Sequence, residues 1–125
     1  RSEVKVDLRT LMMVDSLKMT DDDRKVIVQN CINAAEDKIL ITHGTGTMAE
    51  TAKMIAQKVT DKTIVLTGAM IPYTFRSSDG LFNLGASLAY VQALPHGVYI
   101  SMNGKYFNWD NVQKNTKLGK FESLT

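Results

Sequence analysis

The stretch Lys38-Ile39-Leu40-Ile41-Thr42-His43-Gly44-Thr45-Gly46-Thr47-Met48-Ala49-Glu50 reads as a buried strand running into a turn of glycines and hydroxyls, then into a capped helix. Ile39, Leu40 and Ile41 are β-formers, whereas Thr47 and Glu50 stand at capping-box spacing. The Thr47 hydroxyl is expected to accept the amide of the third helical residue while Glu50 reaches back to the Thr47 amide. Ala49, Ala52, Met54, Ile55, Ala56 and Val59 continue at helical spacing to about Thr60. Glycines let backbone approach a ligand closely, and a helix N-terminus offers N–H groups and positive potential to an anion. Thr45 and Gly46 therefore sit where an open α/β sheet places small-molecule chemistry.

Outward from this junction, strand and helix signals alternate. Leu8 to Val14 is expected as a strand, and Thr20 with Asp23 opens a helix through about Glu36, its first turn acidic with Asp21, Asp22 and Asp23. Thr63-Ile64-Val65-Leu66-Thr67 is a β-branched run ending at Gly68, and a loop containing Pro72 leads to Ser78-Asp79-Gly80, where either polar side chain can cap the helix carrying Leu81, Phe82, Leu84, Leu88 and Val91. Gly97 to Met102 returns as a strand, and Asn103-Gly104 suits a tight hairpin with Lys105-Tyr106-Phe107. Trp109 to Thr125 is polar and carries no clear signal. The pattern predicts an α/β fold: a doubly wound, mainly parallel sheet with helices on both faces and a C-terminal hairpin at one edge. The loops after Val14, Ile41, Leu66 and Met102 are expected to share the rim at the strands' carboxyl ends, near a change in strand order.

With 125 residues, 44% of them hydrophobic, the chain suits a single domain with a real core. A formal charge of +2 argues against a nucleic-acid or membrane partner, although Lys105, Lys114, Lys117 and Lys120 make the tail locally basic. The aromatics between them, Tyr106, Phe107 and Trp109, read more simply as hairpin packing than as a platform for single strands. Leu11-Met12-Met13 reads as core filling. Cys31, the single cysteine, lies in an apolar helical pattern and is read as a buried small hydrophobe; one thiol builds neither a disulfide framework nor a thiolate metal site. His43 reads as a packed, hydrogen-bonded side chain and His96 as a surface turn residue, so no metal site is expected. No apolar stretch approaches bilayer length and no leader opens the chain, which favours a cytoplasmic location. The first residue is not Met, and charged residues stand directly before a strand signal, so a preceding element is expected to be absent from the sequence.

Several rim segments carry a resemblance. Asp15-Ser16, Thr42 to Thr47, Thr67-Gly68-Ala69-Met70-Ile71-Pro72 and Ser78-Asp79-Gly80-Leu81-Phe82-Asn83-Leu84 occur in order. From about Asp15 to Ser123 they resemble the N-terminal domain of the bacterial-type L-asparaginase and glutaminase-asparaginase family, with its His-Gly-Thr-Asp-Thr-Met, Gly-Ala-Met-Arg-Pro and Ser-Asp-Gly-Phe-Asn-Leu-like signatures. The resemblance implies that Thr45 is an active-site threonine whose hydroxyl and amide face the scissile amide, and that Lys114 works with it. It also implies substrate-binding roles for Ser16, against an α-carboxylate, for Ala69, whose backbone faces the leaving amide, and for Gly44 and Gly46 in the turn. The implied reaction is hydrolysis of the side-chain amide of asparagine or a related small amide to a carboxylate and ammonia, without metal or organic cofactor, in a homo-oligomer.

An alcohol becomes a good nucleophile once a base takes its proton, and backbone N–H groups at the Thr45 turn are placed to receive the developing oxyanion. The sequence departs from the family at Gly46, where the family has the Asp that anchors the substrate's α-ammonium, and at Ile71, where it has Arg. The family's Thr-Gly-Gly-Thr turn and lid tyrosine have no counterpart here, so an upstream strand and loop are expected in the natural protein, with one small α/β domain in place of the two-domain family architecture. The departures make a catalytically degenerate protein that binds a small ligand on the same fold the alternative to the amidohydrolase reading. A nucleotide site is disfavoured, since the Gly-Thr-Gly-Thr turn lacks the phosphate-loop lysine.

Overall fold

The computed structural model describes residues 3–70 and 78–125; the expectations for Ile71 and Pro72 lie outside the described residues. A 3-10 turn at Ser16–Lys18 precedes α1 (Asp21–Asn33), β1 (Lys38–Thr42), α2 (Met48–Lys58), β2 (Thr63–Thr67), α3 (Gly80–Ala93), β3 (Gly97–Met102), β4 (Lys105–Asn108), β5 (Gln113–Asn115) and β6 (Lys120–Glu122). The main sheet has the order β1-β2-β3-β4. β1, β2 and β3 are parallel, in a register that aligns Ile39 with Ile64 and Ile64 with Val98, and β4 turns back antiparallel on β3. The hairpin turn at Asn103 and Gly104 has positive φ at both residues, 55° and 81°, as a tight two-residue connection requires.

Alternation along the strands divides the core between two faces. Ile64, Leu66, Val98, Ile100 and Met102 point to one side, where they meet Ile27, Val28 and Cys31 of α1 and Met48, Ala52 and Ile55 of α2. Val65 and Tyr99 point to the other, against Val91, Leu88 and Leu94 in and after α3. β2 is buried throughout because it has a strand on each side and helices on both faces. The two crossovers, through α2 and α3, step the same way across the sheet yet cover opposite faces. They therefore have opposite hands, and one takes the uncommon left-handed path.

Four local expectations are corrected. Leu8 to Val14 forms no strand: Leu8 and Met13 are 92% and 93% exposed, and of the methionine pair only Met12 packs on the core. A strand signal needs a ladder to express it, and none of the described strands lies beside this segment. For the same reason β1, expected to be buried, is a half-buried edge strand paired only with β2 among the described residues. The described strands also run in chain order, with no change of order at the rim. Finally, α1 stops at Asn33 rather than near Glu36, because the Lys62 ammonium, itself buried, takes the carbonyls of Cys31 at 2.7 Å and Ala34 at 2.6 Å. At the other end of α1 the Thr20–Asp23 capping box is present in both directions.

The C-terminal tail, unassigned from sequence, forms a second hairpin, β5–β6. Phe121 on β6 is buried in the α1/α2 core and stands opposite Lys114 on β5. Side chains of directly paired residues share a face, so the buried phenyl ring anchors the strand that carries the lysine.

Candidate active site

β1 ends at Thr42, and His43 to Thr47 turn the chain toward α2. This turn is fastened to the 3-10 turn by Ser16. The Ser16 hydroxyl accepts the Gly46 N–H at 3.0 Å, and its carbonyl accepts the Thr47 hydroxyl at 2.8 Å. Thr47 is thus diverted from the expected capping box, and no side chain caps α2; Glu50 instead faces Arg24 Nη2 at 3.4 Å. The approach is close: a Cβ on Gly44 would lie 2.8 Å from Ser16 Oγ and 2.9 Å from Ser16 Cβ, so only glycine fits there.

His43 is buried beneath the turn. Its Nδ1 lies 2.7 Å from the Gly44 carbonyl, which can only accept, so Nδ1 carries the proton; Nε2 then accepts from the Thr51 hydroxyl at 2.8 Å. Burial pushes its pKa below the ordinary 6.5 and the Arg24 charge adds to this, against the opposing pull of the Gly44 carbonyl. The imidazole holds the turn as a neutral ring.

Across this turn lies Lys114. Its Nζ donates to Thr45 Oγ1 at 2.8 Å, joining residues 69 positions apart in sequence. Together Asp15, Ser16, Leu17, Gly44, Thr45, Gly46, Lys114 and Thr116 line an open cleft of about 350 Å³. Five of the expected site residues, Ser16, Gly44, Thr45, Gly46 and Lys114, therefore meet in one place. Ala69 does not line this cleft; it follows β2, in a loop held from behind by Asn83. The buried Asn83 amide donates to the Gly68 carbonyl at 2.9 Å and to Asp79 Oδ2 at 3.1 Å, and its oxygen accepts the Asn103 N–H at 2.8 Å. Asp79 Oδ2 also takes the Met70 N–H at 3.2 Å rather than capping α3.

Sequence reasoning missed Leu17 and Thr116 as lining residues. Each is one or two positions from a residue that was found, which was the available signal. Of the backbone N–H groups at the Thr45 turn, that of Gly46 is committed to Ser16 Oγ. Having accepted this bond, the Ser16 hydroxyl keeps its own proton to donate. Among the described residues no three His, Cys, Asp or Glu side chains are grouped to hold a metal ion, and no helix is long and apolar enough to cross a membrane.

The sequence profile described as "Asparaginase, N-terminal" matches residues 1–124. This chain belongs to the asparaginase family. It is 30% identical over 124 residues to the L-asparaginase of Thermococcus kodakarensis, an alignment covering 96% of this chain and 36% of that protein. With L-asparaginase 2 of Escherichia coli it shares 38% identity over 94 residues, covering 70% of this chain and 27% of the other. The solved structure of the thermostable L-asparaginase from Thermococcus kodakarensis superposes with a TM-score of 0.90 at 29% identity, over 98% of this chain and 39% of that one. For the "Probable Cytoplasmic L-asparaginase" of Campylobacter jejuni the TM-score is 0.83 at 32% identity, over 95% and 41% of the two chains. The family's α/β fold is thus shared, while this chain spans only about a third of the length of these asparaginases.

Proposed function

We propose that the chain hydrolyses a small primary amide at the Thr45–Lys114 pair. The observation that carries this reading is the 2.8 Å contact between Lys114 Nζ and Thr45 Oγ1 at the mouth of the β1–α2 turn, in a chain of the asparaginase family. Lys114 Nζ takes the Thr45 proton as Thr45 Oγ1 attacks the amide carbon. The C–N bond then breaks, and the proton on Lys114 passes to the departing nitrogen, which leaves as ammonia. Water hydrolyses the resulting ester, restores the Thr45 hydroxyl and releases a carboxylate. The Ser16 hydroxyl, fixed by Gly46 and with its proton directed elsewhere, supplies a donor for the substrate's carboxylate.

Ammonia release from asparagine, glutamine and their deamino analogues tests the proposal. Thr45→Ala and Lys114→Met are each expected to lower turnover at least about a hundredfold, the scale of losing a positioned base. Wild-type rates in either variant would overturn it. Gly46 favours one other reading, ligand binding without hydrolysis. Saturable binding with no ammonia from any of these amides would select that reading.

A further inference from the structure

The cleft has an asymmetric chemistry. Of its eight lining residues only Asp15 and Lys114 carry ionisable side chains, and the rest are hydroxyls, glycines and Leu17. At the Gly46 corner glycine itself offers no side chain to a cation, and among the described residues the space beside it is filled. A Cβ on Gly46 would lie 2.6 Å from Leu17 Cδ2 and 3.0 Å from both Leu17 Cγ and Ser16 Oγ. Leu17 is otherwise 75% exposed, a large apolar side chain standing at the lip of a polar cleft. The one acid, Asp15, uses Oδ1 to cap the 3-10 turn through the Leu17 N–H at 3.0 Å, and is exposed, where a single ion pair is worth little. An incoming ammonium group would meet the positive end of α2 and would have to shed water against Leu17.

We infer that this cleft selects a small carboxylate-bearing amide that lacks an α-ammonium group, and that Leu17 over Gly46 is the device that sets this preference. The inference rests on the cleft being the substrate site proposed above. Its ligand is a dicarboxylic acid monoamide, with Ser16 and Lys114 serving the anionic and reacting ends and Leu17 lying against the unsubstituted methylene that takes the place of the amino-bearing carbon.

The products of hydrolysis provide a test that needs no turnover, because succinate and aspartate differ only by the ammonium group. Calorimetry on the wild-type chain is expected to show succinate binding at least about tenfold tighter than aspartate. Aspartate binding as tightly or more tightly would overturn the inference, as would failure of both to bind. The double variant Leu17→Ala with Gly46→Asp opens the corner and supplies a carboxylate. It is expected to raise aspartate affinity about tenfold and to leave succinate no tighter, and an equal gain for both would also overturn the inference; if the variant does not fold, the wild-type comparison decides. Ammonia assays on succinamate and asparagine separate the two proposals. A succinate preference with no ammonia from either amide sinks hydrolysis and leaves the selectivity standing. Ammonia release combined with an aspartate preference does the reverse.

Discussion

His43 couples protonation to the shape of the site. The folded protein disfavours its charged form, whereas the unfolded chain takes up the proton at the ordinary value of 6.5. Below pH 6.5 the unfolded state therefore binds more protons, and stability falls as pH is lowered toward the depressed folded value; above it both states are neutral and this contribution is flat. Urea unfolding between pH 7.5 and 5 is expected to show this loss, with a slope from His43 of at most about 1.4 kcal/mol per pH unit. In His43→Asn that part of the slope should disappear, and an unchanged slope would mean the ring does not titrate against folding. The same residue shows what sequence reading can reach. A histidine after an apolar strand reads as packed, but its tautomer follows only from a carbonyl and a hydroxyl that the fold brings to its two nitrogens.

At the scale of elements, α1 is defined by local chemistry at one end and by a distant residue at the other. Thr20 and Asp23 are three positions apart, so their capping box is visible in sequence. Lys62 reaches the Cys31, Ile32 and Ala34 carbonyls from the start of β2, and nothing near Asn33 announces it. Lys62→Met keeps the aliphatic stem and removes the charged donor. It is expected to lower unfolding free energy by roughly 2 kcal/mol and to speed amide exchange in the last turn of α1, as measured by denaturation and hydrogen exchange. The strands divide in the same way. β2 and β3 fall at Thr63–Thr67 and Gly97–Met102, the bounds expected from their apolar, β-branched runs. β5 and β6 are three-residue strands of mostly polar residues, whose pairing is decided by Phe121 finding the core. The capping box expected at Thr47 and Glu50 fails for a related reason, since Ser16 and Arg24 compete for both side chains from across the fold.

Over the whole molecule, the site depends on a hairpin docking against a helix layer. Phe121 fills that layer and faces Lys114 across the β5–β6 ladder, so Phe121→Ala is expected to cost about 3 kcal/mol of stability and to weaken carboxylate binding in the Thr45 cleft. Calorimetry beside denaturation checks this; full binding in a destabilised but folded variant would show that Lys114 reaches Thr45 without the anchor. The sequence by itself determined the α/β class, the order of its central elements and the position of the β1–α2 junction, because periodicity, β-branching and turn residues act over a few positions. Its ordered motifs named the family and brought Thr45 and Lys114 together by resemblance. Only the tertiary structure decided that Leu8 to Val14 has no ladder, that β1 is an edge, that Thr47 serves Ser16 rather than its own helix, and that Leu17 closes over Gly46. Each of these is a competition for partners between segments far apart in the chain, and such competitions are settled by which surfaces meet when the core closes.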